Sequence, residues 1–142
     1  MRTTVKEDGE FAGWSYYPEE PFEAGCAGPF FHRVDEQGPV CAFRVEQKHM
    51  NGANVAHGGL LMTFVDYALF VIAHDELDDG YGLTAAFTSE FLDGAKLGER
   101  VEARGDMLRG GRSLVFVRGL VTSEGRPCLN FSATIKKIKP RG

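Results

Sequence analysis

The stretch from Leu60 to Ala73, LLMTFVDYALFVIA, is apolar almost without interruption, yet it carries a carboxylate, Asp66, at its centre. Turn signals bound it: HMNGANVA precedes it and an acidic DELDDG follows. The segment between them, roughly His57 to Leu77, holds about 20 residues, too long for a strand, and predicts a helix. Its apolar residues fall on nearly all sides, which predicts a helix buried on every face. The apolar run itself is shorter than the ~20 residues that cross a bilayer. The rest of the chain is therefore expected to wrap around one central helix. A charge in such surroundings costs several kcal/mol unless it is paired or its pKa moves, so Asp66 needs a reason to be there.

A competing parse makes LLMTFV a strand and Asp66 the cap of a helix starting at Tyr67. Leu69 then stands where a capping box wants Glu or Gln, and the Gly58-Gly59 pair is left without a role.

Around this segment the chain reads as β structure. PFFHRVDEQGPVCAFRVEQ forms two short strands about a turn at Glu36–Pro39. YGLTAAFTSEF, ERVEARGDML, SLVFVRGLVTS and RPCLNFSATIKKI are rich in Val, Phe, Leu and Thr, and a Gly110-Gly111 hairpin separates two of them. In the last, Leu129, Phe131, Ala133 and Ile135 share one face opposite Asn130, Ser132 and Thr134. The expected class is α+β: a curved antiparallel sheet of five to six strands wrapped around one long helix. At 142 residues, one domain over 1–142 is expected, with an irregular or briefly helical lead-in over residues 1–28. The absence of an apolar N-terminal stretch and the odd set Cys26, Cys41 and Cys128 suggest a cytoplasmic protein with reduced thiols.

Charge is unevenly distributed. Residues 1–95 carry 5 basic and 16 acidic side chains, a balance of −11; residues 96–142 carry 11 and 4, a balance of +7. Either the C-terminal part meets an anion or another copy's acidic part, or the halves intermix on folding.

Two features of the helix point to chemistry. Gly58 and Gly59 leave its first turn bare, so a ligand can reach free backbone N–H groups that, with the helix dipole, suit a developing oxyanion. Glycines also serve tight entry turns. Asp66, desolvated by Phe64 and Phe70, would have a pKa raised toward neutrality and act as general base or nucleophile. His57 suits a cap, and His49, Asn51 and Asn54 suit turn chemistry. DELDDG fails as a calcium loop because Leu77 and Ala86 stand where oxygen ligands are needed; a solvated turn is expected. The chain has neither a GxSxG motif nor a P-loop lysine motif, and no cysteine lies in an obvious electropositive turn.

These residues resemble the hotdog-fold acyl-CoA thioesterases of the phenylacetate-pathway type, which are close to thioesterase superfamily member 2. The pattern stands here as Asn51, GANVA, His57-Gly58-Gly59, LLMTFV and Asp66, and continues through GLT, AKLGE and RGGRSL, spanning about residues 40–138. The resemblance implies that Gly58 donates its N–H to a thioester carbonyl and that Asp66 attacks or activates water. It makes Asn51 and His57 orient substrate and water, and gives Thr84 the place of a hydroxyl that holds the water. Coenzyme A would run past Gly59, along Phe91 to Lys96, and over Arg109, Gly110, Arg112 and Ser113, with Lys136. Coenzyme A enters as part of the substrate; no metal or other cofactor, nucleic acid or membrane partner is implied. Two departures stand out: Asn54 replaces a usual Gly, and FLDGAK lacks a usual Pro before Ala95.

Helix geometry adds a constraint. Gly58 and Asp66 lie eight residues apart, ~12 Å along a helix axis, while a reacting carbonyl must sit ~3 Å from both donor and nucleophile. One helix cannot serve one thioester; two antiparallel helices across a two-fold axis can. A homodimer is then part of the active site, with a tetramer of two such dimers as the further expectation. The rivals are a hotdog hydratase or dehydratase, which needs an acid–base pair on the acyl chain, and a non-catalytic acyl-CoA sensor, which has no need of Asp66.

Overall fold

The computed structural model describes residues 2–77 and 81–139. Eight strands form one antiparallel sheet: β1 (Thr4–Val5), β2 (Ser15–Tyr16), β3 (Phe31–Asp35), β4 (Gly38–Arg44), β5 (Gly82–Phe91), β6 (Arg100–Gly110), β7 (Leu114–Ser123) and β8 (Arg126–Lys137). Their spatial order is β1-β2-β3-β4-β6-β7-β8-β5. After β4, in the middle of the sheet, the chain forms α1 (Gly58–Ile72) and returns at the far edge as β5. That crossover lays α1 against β4 to β8 and, among the described residues, leaves β5 with one neighbour, β8.

The six longer strands are the expected ones. The count of five to six needs correcting because the lead-in adds β1 and β2. Phe11 and Trp14 bury with Phe31, Val40 and Ala42 as a second core cluster, and Phe11 stacks on Phe31 at 4.5 Å. This anchor draws Ser15 alongside His32. Only Glu23–Ala27 of the lead-in forms a helical turn. The β3–β4 turn is also tighter than expected, since Pro39 already pairs with Val34.

The helix is shorter than expected and not buried on every face. It ends at Ile72, and a short helical turn at His74–Glu76 follows. Asp75 and Glu76 put negative charge where the helix dipole is already negative, which opposes continuation. Asp78, Asp79 and Gly80, the rest of the acidic turn, lie outside the described residues. Leu61, Phe64, Val65, Ala68 and Leu69 are buried against the sheet, where Leu129, Phe131, Ala133 and Ile135 meet them. Gly59, Met62 and Asp66 are exposed on the opposite side, with Thr63 and Phe70 half-buried beside them. An apolar count measures what needs cover but not what supplies it, and in one subunit this stripe has none.

The two charge halves partly intermix. Arg100 pairs with Glu10, Arg104 with Asp35, Arg126 with Asp93 and Lys137 with Glu76. Among the described residues Lys96, Arg109, Arg112 and Lys136 form no ion pair.

Candidate active site

The helix N-terminus is built around His57. Its Nδ1 accepts the Gly59 N–H at 2.9 Å, and its carbonyl accepts the N–H groups of Leu60 and Leu61. The Gly58 N–H alone in this turn has no acceptor among the described residues. A Cβ on Gly58 would stand 3.2 Å from the Phe91 ring, so the end of β5 rests on this residue. His49 holds the approach: its carbonyl accepts the His57 N–H, its Nδ1 accepts the Glu46 N–H, and its Nε2 donates to the Ala27 carbonyl. Burial lowers the pKa of His49, consistent with that neutral, structural ring.

Asn51 shapes the loop before the helix. Its Oδ1 accepts from the N–H groups of Ala53 and Val55, at 2.9 and 3.2 Å. Asn54 sits at φ +60, a left-handed conformation that Asn tolerates. The Ala56 N–H donates to the Ala95 carbonyl at 2.7 Å and brings the exposed Lys96 beside this end of α1.

Two turns along the helix, Asp66 Oδ1 accepts the Thr84 hydroxyl at 2.5 Å. A β-bulge between Thr84 and Ala86 interrupts the β5–β8 register just there. Oδ2 has no partner among the described residues. The expected desolvation is absent from the single subunit: Asp66 is exposed, and Phe64 points into the core.

The cationic hairpin lies at the other end of the helix. Lys137 pairs with Glu76 at 3.3 Å and donates its N–H to the Ser113 carbonyl. A Cβ on Gly110 would meet the Glu76 carboxylate, the free end of a flexible side chain, so the hairpin closes directly onto that carboxylate. Lys136 lies between Leu83 of β5 and Leu114 of β7. Arg109, Arg112, Ser113 and Lys136 are all exposed.

The expected site residues thus fall into two groups. Gly58, Gly59, His57, Asn51, Phe91 and Lys96 gather at the Phe91 end of β5. Asp66, Thr84, Lys136 and the Arg109–Ser113 hairpin gather at its Gly82 end. Seven residues of strand, ~23 Å, separate Thr84 from Phe91.

Glu23, on the lead-in turn, was not legible in the sequence, because nothing local to EEPFEAG brings it to α1. Burial pushes its carboxyl up to about 7, and Glu20 and Asp66 add to the shift. The folded chain then holds a proton that the unfolded chain loses from pH 4.5 upward, so stability falls as pH rises toward 7. Glu23→Gln removes this dependence. Its melting temperature relative to wild type is expected to rise between pH 4.5 and 8, and a constant difference would show that the carboxyl ionises normally.

Residues 53–129, more than half of the chain, match the family model described as Thioesterase superfamily. The chain belongs to that superfamily, which defines it as a thioester hydrolase. A Pseudomonas aeruginosa protein named for an inferred esterase activity is 32% identical over 101 residues, 70% of this chain and 75% of its own length. Human acyl-coenzyme A thioesterase 13 is 29% identical over 77 residues, 54% of this chain and 55% of that protein. A Streptococcus pneumoniae thioesterase, solved with coenzyme A, superposes with a TM-score of 0.68 at 23% identity, covering 80% and 91% of the two chains. The hotdog fold expected from the sequence is the fold of these neighbours.

Proposed function

We propose that the protein hydrolyses acyl-CoA thioesters, with each site assembled from two subunits. One observation carries this reading: Gly58 is tied to the Phe91 end of an open edge strand, and Asp66 to the Thr84 end of the same strand. When two β5 edges pair antiparallel about a two-fold axis, the Phe91 end of one meets the Thr84 end of the other. The free Gly58 N–H of one subunit then faces Asp66 of its partner. The same pairing adds Phe91 and Lys96 from one chain to Arg109, Arg112 and Lys136 from the other. Relatives named for acyl-CoA hydrolysis and a neighbour holding coenzyme A support this substrate class.

In this arrangement the Thr84 hydroxyl oxygen and the open Oδ2 of Asp66 seat a water between them. The Gly58 N–H and the α1 dipole draw the carbonyl oxygen. Water gives a proton to Asp66 as its oxygen bonds the carbonyl carbon. The C–S bond then breaks, and the departing sulfur takes that proton back. The new carboxylic acid loses its remaining proton to solvent. Lys96, Arg109, Arg112 and Lys136 receive the phosphates of the coenzyme.

The test is thiol release from a panel of acyl-CoAs, run with Arg109→Ala/Arg112→Ala beside wild type. The double variant is expected to raise KM about 5- to 100-fold, the worth of two partly exposed phosphate contacts, with kcat little changed. A truncated pantetheine thioester, which lacks the nucleotide phosphates, should be hydrolysed as by wild type. No thiol release from any acyl-CoA would sink the function, and equal damage on both substrates would make the arginines structural.

A further inference from the structure

The flank of α1 opposite β5 holds a second set of polar groups, and it borders a cavity of about 240 Å³ walled mainly by Tyr17, His32, Val34, Pro39, Val71 and Ile72, with His74 and Asp75 completing the lining. Tyr67, the residue after Asp66, turns to this side and lies 2.5 Å from His32 Nδ1 through its hydroxyl oxygen. Burial pushes the Tyr67 hydroxyl up and the His32 ring down, so both are neutral. The Tyr67 proton has no acceptor among the described residues except His32 Nδ1, so Tyr67 donates and His32 carries its proton on Nε2. Neither that Nε2–H nor the hydroxyl of Tyr17, which stacks on the His32 ring at 5.5 Å, has a partner among the described residues. The lining is thus mostly apolar, and the His32 Nε2–H, which is not sealed from solvent, has no protein acceptor among the described residues.

Its position bears on the acyl group. A thioester carbon is trigonal, so its sulfur arm and its acyl arm leave on different sides. If the coenzyme departs over the cations beside β5, the acyl group crosses α1 toward Tyr67. Val71, on the cavity wall, is five residues past Asp66, ~7.5 Å along the axis. The lead-in turn Glu23–Ala27 packs against α1.

We propose that the acyl group lies across this flank and ends in the His32 cavity, and that the enzyme favours acyl groups with an apolar body and a hydrogen-bond acceptor near the far end. This rests on the thioesterase reading above. A plain alkyl chain fills the cavity but leaves the His32 donor unpaired and stripped of water. An oxo oxygen at that depth satisfies it.

Octanoyl-CoA and 7-oxo-octanoyl-CoA separate the outcomes. Wild type is expected to favour the oxo compound about 3- to 10-fold in kcat/KM, the worth of one neutral hydrogen bond. His32→Phe/Tyr67→Phe removes both members of the pair, leaves no buried hydroxyl stranded, and should bring the ratio to about one. Val71→Phe, which fills the cavity, should lower octanoyl-CoA hydrolysis relative to acetyl-CoA by about tenfold or more. Thiol release with no oxo preference in wild type, or a preference that survives the double variant, overturns the acceptor rule. An unchanged octanoyl-to-acetyl ratio in Val71→Phe overturns the placement of the acyl group. No release from any acyl-CoA overturns the thioesterase reading and this proposal with it.

Discussion

Asp66→Asn is expected to lower kcat by at least ~100-fold, the scale for losing a positioned general base. The change is nearly isosteric, and the amide oxygen of Asn can still accept the Thr84 hydroxyl. Because Asp66 is exposed in the subunit, the variant should stay within about 0.5 kcal/mol of wild-type stability. Steady-state kinetics and thermal unfolding on the same preparation check both halves. Near-wild-type turnover would remove Asp66 from the chemistry. An unfolded variant would make it a structural residue.

The shared site has a sharper test. Gly58→Pro deletes the one unpaired N–H of the first turn at a position where proline suits a helix. His57, the preceding residue, has φ −59 and ψ 134, the extended conformation that a following proline requires. A Cβ at this position meets the edge of Phe91, whose side chain is half exposed. Gly58→Pro and Asp66→Asn should each be inactive alone. If each site takes Gly58 from one chain and Asp66 from the other, a mixed dimer holds one doubly damaged site and one intact site. Random reassembly makes about half the dimers mixed, so activity should return to roughly a quarter of wild type. No recovery despite proven subunit exchange, with Gly58→Pro shown to be folded, would place both groups in one chain.

Much of this architecture is written locally. The four long strands from β5 to β8 alternate or cluster their β-branched and aromatic residues, and α1 announces itself by length and composition. What was misread depends on contacts far apart in sequence. β1 and β2 exist because Phe11 and Trp14 find Phe31, which no window over the lead-in contains. The open stripe along α1 reads as core because Met62 and Phe70 are apolar whether a partner or the same chain covers them. Asp66 and the His57-Gly58-Gly59 turn were legible as a pattern, and Asn51 was legible as turn chemistry. The separation of Phe91 from Arg109 was not, because it follows from β5 returning beside β8 at the sheet's far edge. Glu23 and the His32–Tyr67 pair were silent for the same reason: each needs the lead-in folded against the helix.

The open flank of β5 carries a further consequence, for the newly made chain. Along its ten residues about every second one points its N–H and C=O away from β8, and Leu83 is 60% and Phe91 53% exposed near the two ends. Such a strand is a template for any other extended segment, whether or not it belongs to a correct partner. On the proposed pairing, the edge that would complete the site is therefore also an aggregation hazard. Finding its own copy quickly would then protect the protein before it made the enzyme. Expression that outruns assembly, or a substitution that weakens β5 pairing without unfolding the subunit, should appear as insoluble protein before it appears as lost turnover.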